Sequence, residues 1–569
     1  MSRTSSRVPR RAAALLAVGG LALTAACGGS SGGSSNTTSS KGVKGGTLYY
    51  LSQGDFEHLD PARVYVTNAS DFGRLIYRTL MTYANKPGTG GTEVVPDLAE
   101  APGVPSDNAK TWTYKIKKNQ KYEDGTVITS KDIKYGVERT FSDLLPEGPP
   151  YYNQLLAGAS AYKGPYKDKS DFKAIETPDD STIVFHFEKP FGDADFAAAL
   201  TTTSPVPQAK DTGVKYDDHP VSSGPYKIAE YLRGKSIHLV RNENWVAKDS
   251  PAIGAYPDEI QGELALDGAT IDKRLIASNG NDAFAVTDSP NIQPENVSTA
   301  FTDPQKKSHI FKGTDGSTVY SSMNTARGPF KDIKVRQALE VAYPLATARK
   351  AAGGPTVGEF ATSVLAPSLK SHKDIDVYGQ KARDFKGDPV KAKQMLADAG
   401  YPKGVSFSWD VANTTAATAT AAAVKAALAP AGFTANIQTV DVSKYYDTIG
   451  QPSKQSDLVS YAWIPDWPSA STVIPPLFTC GAIKPQGNNN PANYCNKEFD
   501  AKADEASQET DADKADVIWA ELDKKLIEDA VVIPRYYGTT TWFYGTGVKN
   551  VRSALPFGGE IDLANVSVK

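Results

Sequence analysis

The chain has 569 residues, with 62 Lys and Arg against 65 Asp and Glu, a formal balance of −3. That length allows two or three domains with large cores. A mildly acidic balance argues against nucleic acid as a partner.

The first residues read as an export signal rather than as fold. Arg3, Arg7, Arg10 and Arg11 give a basic start without an acid, an apolar run follows over 12–23, and Thr24-Ala25-Ala26-Cys27 closes it with small residues. This order is that of a secretory signal over 1–26, too short to span a membrane as a mature helix. Cleavage before Cys27 resembles the bacterial lipobox, in which that Cys is lipidated. The usual aliphatic residue three before the Cys is here Thr24, with Leu23 one further back. The alternative is a plain secreted protein with an incidental Cys27. Arg10-Arg11 hints at twin-arginine export, but the rest of that motif is missing. The stretch GGSSGGSSNTTSSKGVKGG (28–46) has no apolar period, so 27–46 is expected to be a lipid-anchored flexible linker. About twenty such residues reach roughly 25 Å. With the four arginines of the signal removed, the balance moves from −3 to −7. No later segment approaches 18 apolar residues, so none is expected to span a bilayer.

In the body, strands and helices alternate. GGTLYYLSQ (45–53), TWTYKIKK (111–118) and DSTIVFHFEKP (180–190) read as strands, and 224–245 reads as a hairpin turning at Arg233-Gly234. Helices are predicted over 129–141, capped by Thr129 or Ser130, over 389–401, with Pro389 at its start and Gly400 at its end, over 417–433, and over 511–530. This mixture without tandem repeats indicates α/β or α+β domains. Near the end, YAWIPDWPSAS (461–471) places Asp466 between Trp463 and Trp467, with Pro465 and Pro468 on either side. Two prolines make it a stiff loop, not a helix. Cys480 and Cys495 follow, and an even pair in an exported chain favours a disulfide. Two free thiols are the alternative.

The equipment of an enzyme is hard to find. The six histidines, at 58, 186, 219, 238, 309 and 372, are never within five residues of each other, so no helical zinc motif exists. There is no G-x-S-x-G elbow and no G-x-G-x-x-G. AEYLRGKS (229–236) misses a phosphate loop by its first Gly and sits inside the predicted hairpin. Asp179-Asp180 and Asp217-Asp218 fall in turns, where acids are common. A glycosidase needs two acids anywhere, so a secreted hydrolase stays open as an alternative.

Several segments together resemble the family 5 extracellular solute-binding proteins of ABC importers, the oligopeptide and dipeptide binders. They are GGTLYY…HLDPA (45–62), RLIYRTLMTY…VPDLAE (74–100), the Trp-Thr strand to Asp-Gly-Thr to Lys-Tyr helix of 111–140, and the Gly-Pro-Tyr block of 222–245. MNTARGPFKDIKVRQALEVAY (323–343), NYCNKEFDAKADEA (493–506) and AVVIPRYYG (530–538) follow in the family's order. Tyr343-Pro344-Leu345 departs from it, where the family has an Asp-Arg pair. The fold implied is a two-lobed α/β periplasmic-binding-protein-like (Venus-flytrap, type II) fold, closing on a ligand by hinge motion. The resemblance places 47–92 in the first lobe, 93–203 in an extra subdomain of that lobe, 204–317 back in the first lobe, 318–530 in the second lobe, and 531–569 in the return.

In peptide-binding members a Trp-x-x-Asp loop of the second lobe holds the peptide's α-ammonium, and Trp463-Ile464-Pro465-Asp466 matches that spacing. The resemblance therefore implies Asp466 as the ammonium partner, with Trp463, Trp467 and Tyr461 about the cleft. The alternative is that both tryptophans are core and Asp466 caps a turn. First-lobe candidates are Val66, Thr67 and Tyr151, while Tyr65, Tyr151 and Tyr152 read equally well as packing. The expected protein is a monomeric, membrane-anchored receptor facing outside, without enzyme activity, cofactor or metal, that takes short peptides to a permease and its ATPase. A nickel chelate, haem or sugar is the alternative ligand in the same fold.

Overall fold

The computed structural model describes residues 42–569. The expected signal over 1–26, the lipidation at Cys27 and the linker up to residue 41 lie outside the described residues.

Local pattern accounts for most elements. The opening strand Thr47–Leu51 turns Leu48 and Tyr50 inward, as its alternation requires. The hairpin strands Tyr226–Leu232 and Ser236–Arg241 turn at Arg233-Gly234, where Gly234 takes φ +67°. Together with Glu259–Glu263 and Ala285–Thr287 they form one five-stranded sheet, with the opening strand parallel to both. Helix Ser130–Arg139 starts where Asp132 reaches back to accept from the Thr129 N–H at 2.7 Å and the Thr129 hydroxyl at 2.8 Å. Helix Ala512–Glu528 buries Ala515, Trp519, Leu522 and Leu526 along one face. Each large apolar side chain so buried contributes roughly 1.5–3 kcal/mol.

The predicted helix 417–433 is corrected at both ends. It starts earlier, at Thr415, because the Thr414 hydroxyl accepts from the Ala417 N–H. It stops at Leu428, two residues before Pro430, and Phe433 opens the next strand, Phe433–Val440. Pro344 likewise separates helix Ile333–Ala342 from helix Leu345–Ala352.

The chain has two main lobes. Leu48, Tyr50, Phe72 and Tyr226 anchor one core on the five-stranded sheet, and the tail returns Val548, Leu563 and Val566 to it. A six-stranded sheet, in the order Gly358–Phe360, Val532–Phe543, Ile310–Met323, Leu458–Trp463, Val405–Ala412 and Phe433–Val440, carries the second lobe with cores on both faces. Two strands of that sheet, Ile310–Met323 and Val532–Phe543, run from one lobe into the other. Phe311 and Trp542 lie in the first core, Tyr320 and Val532 in the second. Their antiparallel register slips between Thr314 and Thr318, where Gly316 takes φ +76°. Such a bulge bends the ladder between the lobes. A third core, with Trp112, Ile133, Tyr152 and Phe185, belongs to a four-stranded sheet inserted in the first lobe.

The segment after the opening strand is held by charge. Asp60 of the Leu-Asp-Pro signature is buried and pairs with both Arg139 Nη atoms, at 2.6 and 2.7 Å. Asp217 accepts from the Leu59 and Asp60 N–H groups at 2.6 and 2.9 Å and from Arg63 at 3.0 Å. Nearby carboxylate partners of this kind fix a loop that its own sequence leaves free. That loop leads straight into Tyr65, Val66 and helix Thr67–Ile76.

Candidate functional site

Strand Leu458–Trp463 ends with Trp463 opposite Thr318 on the crossing strand, so residues 464–469 leave the sheet at the junction of the lobes. The prolines keep this loop out of helix, and a short turn resumes only at Ala470. Asp466 points across to the first lobe. It accepts hydrogen bonds from the Tyr65 hydroxyl at 2.9 Å and from the Tyr151 hydroxyl. Burial pushes its pKa up, and the Tyr151 and Tyr65 hydroxyls pull it back down. Both phenols are themselves pushed up, first by burial and then by the Asp466 charge.

A cavity of about 380 Å³ opens beside Asp466. Val66 and Thr67 line it, with Tyr65, Tyr83, Leu200 and Phe557. Among the described residues that line it, Asp466 is the single charged side chain. An enclosed carboxylate with only neutral donors beside it has no cation of its own protein to pair with. An ammonium group offers it the strongest return, a charge-assisted hydrogen bond. The apolar lining supplies area for the rest of the ligand.

The structure brings Asp466, Val66, Thr67 and Tyr151 together. Trp467 sits beside them as a buried brace. Its indole N–H donates to Asp193 of the first lobe at 2.8 Å, and its ring lies 4.3 Å from that of Tyr151. Ser471 also donates to Asp193. Trp463 is tied back into its own lobe, its N–H donating to the Thr472 carbonyl at 2.7 Å, and it does not line the cavity. Tyr461 is not brought to it either. Its ring packs among Tyr320 and Tyr446 in the second lobe, each 5.8 Å away, where it lines another cavity.

Sequence reasoning did not single out Tyr65, Tyr83, Asp193 or Phe557. Tyr65 is next to Val66 and read equally well as packing. Phe557 comes from the returning tail, and Gly558 beside it takes φ +64°, where an added Cβ would stand only 3.0 Å from the Thr67 methyl. Nothing local marks that segment. Cys480 and Cys495, whose sulfurs stand 2.06 Å apart, lie in a loop that lines neither cavity. Among the described residues, no group of three or more His, Cys, Asp or Glu is placed to hold a metal ion, and no helix is long and apolar enough to cross a membrane.

The chain is similar to known proteins over most of its length. Haem-binding protein A of Haemophilus influenzae is 27% identical over 439 residues, 73% of this chain and 74% of that protein. The dipeptide-binding protein of Escherichia coli K12 is 25% identical over 478 residues, covering 80% of this chain and 83% of that one. Among solved structures, the clavulanic acid biosynthesis oligopeptide binding protein 2 superposes with a TM-score of 0.85 at 33% identity, over 92% of this chain and 96% of that one. The two-lobed α/β architecture is thus that of the type II periplasmic binding proteins. The family model described as bacterial extracellular solute-binding proteins, family 5 Middle, matches residues 93–485, and the chain belongs to that family of solute-binding receptors.

Proposed function

We propose that this protein is the extracellular receptor of an ABC importer and that it captures short peptides between its lobes. The observation that carries this reading is Asp466, the one charged residue among the described lining of the inter-lobe cavity, held by a tyrosine from each of two first-lobe segments. The peptide's α-ammonium pairs with Asp466. Tyr65 and Tyr151 orient the carboxylate, Val66 and Thr67 face the ligand, and Trp467 braces the loop against Asp193. The dipeptide-binding and oligopeptide-binding names of its relatives support this ligand class. In this reading 47–92 and 204–317 make the first lobe, 93–203 its added subdomain and 318–530 the second lobe, while 531–569 is the return to the first lobe by way of the crossing strand Val532–Phe543, whose opening residues still pack in the second.

The receptor acts as a monomer without catalysis. It is tethered to the outer face of the membrane by a lipid on Cys27 after removal of 1–26, and it passes its ligand to a permease and ATPase. A disulfide between Cys480 and Cys495 stiffens the second lobe.

The test is a thermal shift of the ligand-stripped protein with a pool of short peptides, against the same pool N-acetylated. At 100 times Kd a ligand adds roughly 2.7 kcal/mol of stability. A shift with free peptides that vanishes on acetylation is expected. Equal shifts with both pools would remove Asp466 from the role, and no shift with either would remove peptides as the ligand.

A further inference from the structure

The second lobe contains another cavity, of about 360 Å³, built wholly from residues between 319 and 536. Its walls are apolar and aromatic, with Trp409, Val411, Tyr445 and Tyr461 among them. Tyr446 and Val442 form an exposed rim, 58% and 55% accessible. Arg535 is the single charged residue among its described lining.

Arg535 is unusual. It is only 8% exposed, yet among the described residues no hydrogen bond or ion pair takes up its guanidinium, and its Nε is buried without a partner. The ring nearest to it in a cation–π sense, Tyr536, is 5.8 Å away. Buried arginines elsewhere in the molecule are satisfied, as Arg139 is by Asp60 and Arg336 by backbone carbonyls. A buried cation without a counter-charge is costly, and proteins retain one where a ligand completes it. The indole N–H of Trp409, on the same wall, is also buried without an acceptor. In addition, Thr414 and Ala416, at the start of the 14-residue helix Thr415–Leu428, reach the cavity, and the positive end of a helix favours an anion there. The unsatisfied groups are therefore donors, and the ligand that suits them is an acceptor carrying negative charge. One cation within apolar walls fits a single carboxylate on an apolar or aromatic body better than a phosphate, which calls for more donors.

We infer that the second lobe holds an independent site for a monocarboxylate with an apolar body, anchored by Arg535 and complete without the first lobe. The inference does not rest on the peptide reading of the Asp466 cavity.

The test uses phenylacetate and its uncharged analogue phenylacetamide, titrated calorimetrically into the protein, Arg535→Gln and Asp466→Asn. The expected result is binding of phenylacetate to the unaltered protein and to Asp466→Asn alike, with roughly 10- to 100-fold loss in Arg535→Gln and in phenylacetamide. The amide comparison needs no variant, so it stands even if Arg535→Gln misfolds. Three results would overturn the inference: no binding of phenylacetate, equal binding of the amide, or competition by inorganic phosphate alone at similar strength. A fourth separates the two sources of carboxylate. If Asp466→Asn abolishes phenylacetate binding, or if Arg535→Gln and Asp466→Asn lower peptide affinity non-additively, Arg535 holds the far end of a peptide and the site is not independent.

Discussion

The cavity beside Asp466 and the cavity beside Arg535 are nearly equal in size, about 380 and 360 Å³, and opposite in construction. The first is assembled from both lobes and from the returning tail, and its single charge is an acid supported by two tyrosines from across the junction. The second is complete inside one lobe, and the single charge among its described lining is a base whose Nε is buried without an acceptor. The difference teaches where closure matters. A ligand at Asp466 touches both lobes and so favours their closed arrangement, because a ligand shifts an equilibrium only by its differential contacts. A ligand at Arg535 touches one lobe and leaves that equilibrium alone.

The comparison is broken most strongly from a distance. Arg139→Ala leaves Asp60 buried without its partner, at a cost of about 3–5 kcal/mol to the first lobe. Ligand binding at Asp466 is expected to weaken with it, while phenylacetate binding at Arg535 is retained. Urea unfolding and calorimetry read both effects, and a loss below 1 kcal/mol would mean that the Leu-Asp-Pro segment is held by other contacts.

Asp466→Asn acts on one cavity directly. Removing the charge facing an ammonium is expected to cost about 2–5 kcal/mol of peptide affinity. Unchanged peptide affinity in this variant would separate the ammonium from Asp466.

Cys480→Ser acts on neither cavity. The paired residues are 15 apart, and a closed loop of that size contributes about 3 kcal/mol on the chain-entropy estimate. A lower melting temperature with both ligand affinities intact is expected. Loss of either affinity would show that the loop reaches a site.

Tyr151→Phe sharpens the acid's role at the smallest scale. Burial holds the Asp466 pKa above its ordinary value, so an ammonium ligand is expected to be lost as pH falls, from a higher pH than for a solvated aspartate. The Tyr151 hydroxyl favours the charged form. Its removal raises the pKa further and costs about 1 kcal/mol at neutral pH. Calorimetry over a pH series checks the sign: the midpoint of affinity loss moves up in Tyr151→Phe, and a midpoint that stays in place removes the hydroxyl from the account.

Much of the fold was legible because its causes are local. The capped start of Ser130–Arg139, the Gly234 turn and the inward face of Ala512–Glu528 each follow from residues within a few positions of one another. The end of the 417–433 prediction failed for a local reason too, since Pro430 closes the helix and Phe433 already belongs to a strand. Asp466 was singled out by its stiff loop together with the Trp-x-x-Asp resemblance, whereas Tyr461 lies back in the strand, its ring packed against Tyr320 and Tyr446, while Asp466 sits on the loop beyond the strand's end.

The sequence by itself determined the class of fold, the order of its elements and the acid to examine, since periodicity, caps and motif spacing are properties of short stretches. Only the tertiary structure decided what surrounds that acid. Tyr65 and Tyr151 reach Asp466 from 401 and 315 residues away, and the Arg535 Nε is buried without an acceptor among strands far apart in the chain. Whether a charge is buried, and whether it is answered, depends on groups that only folding brings together.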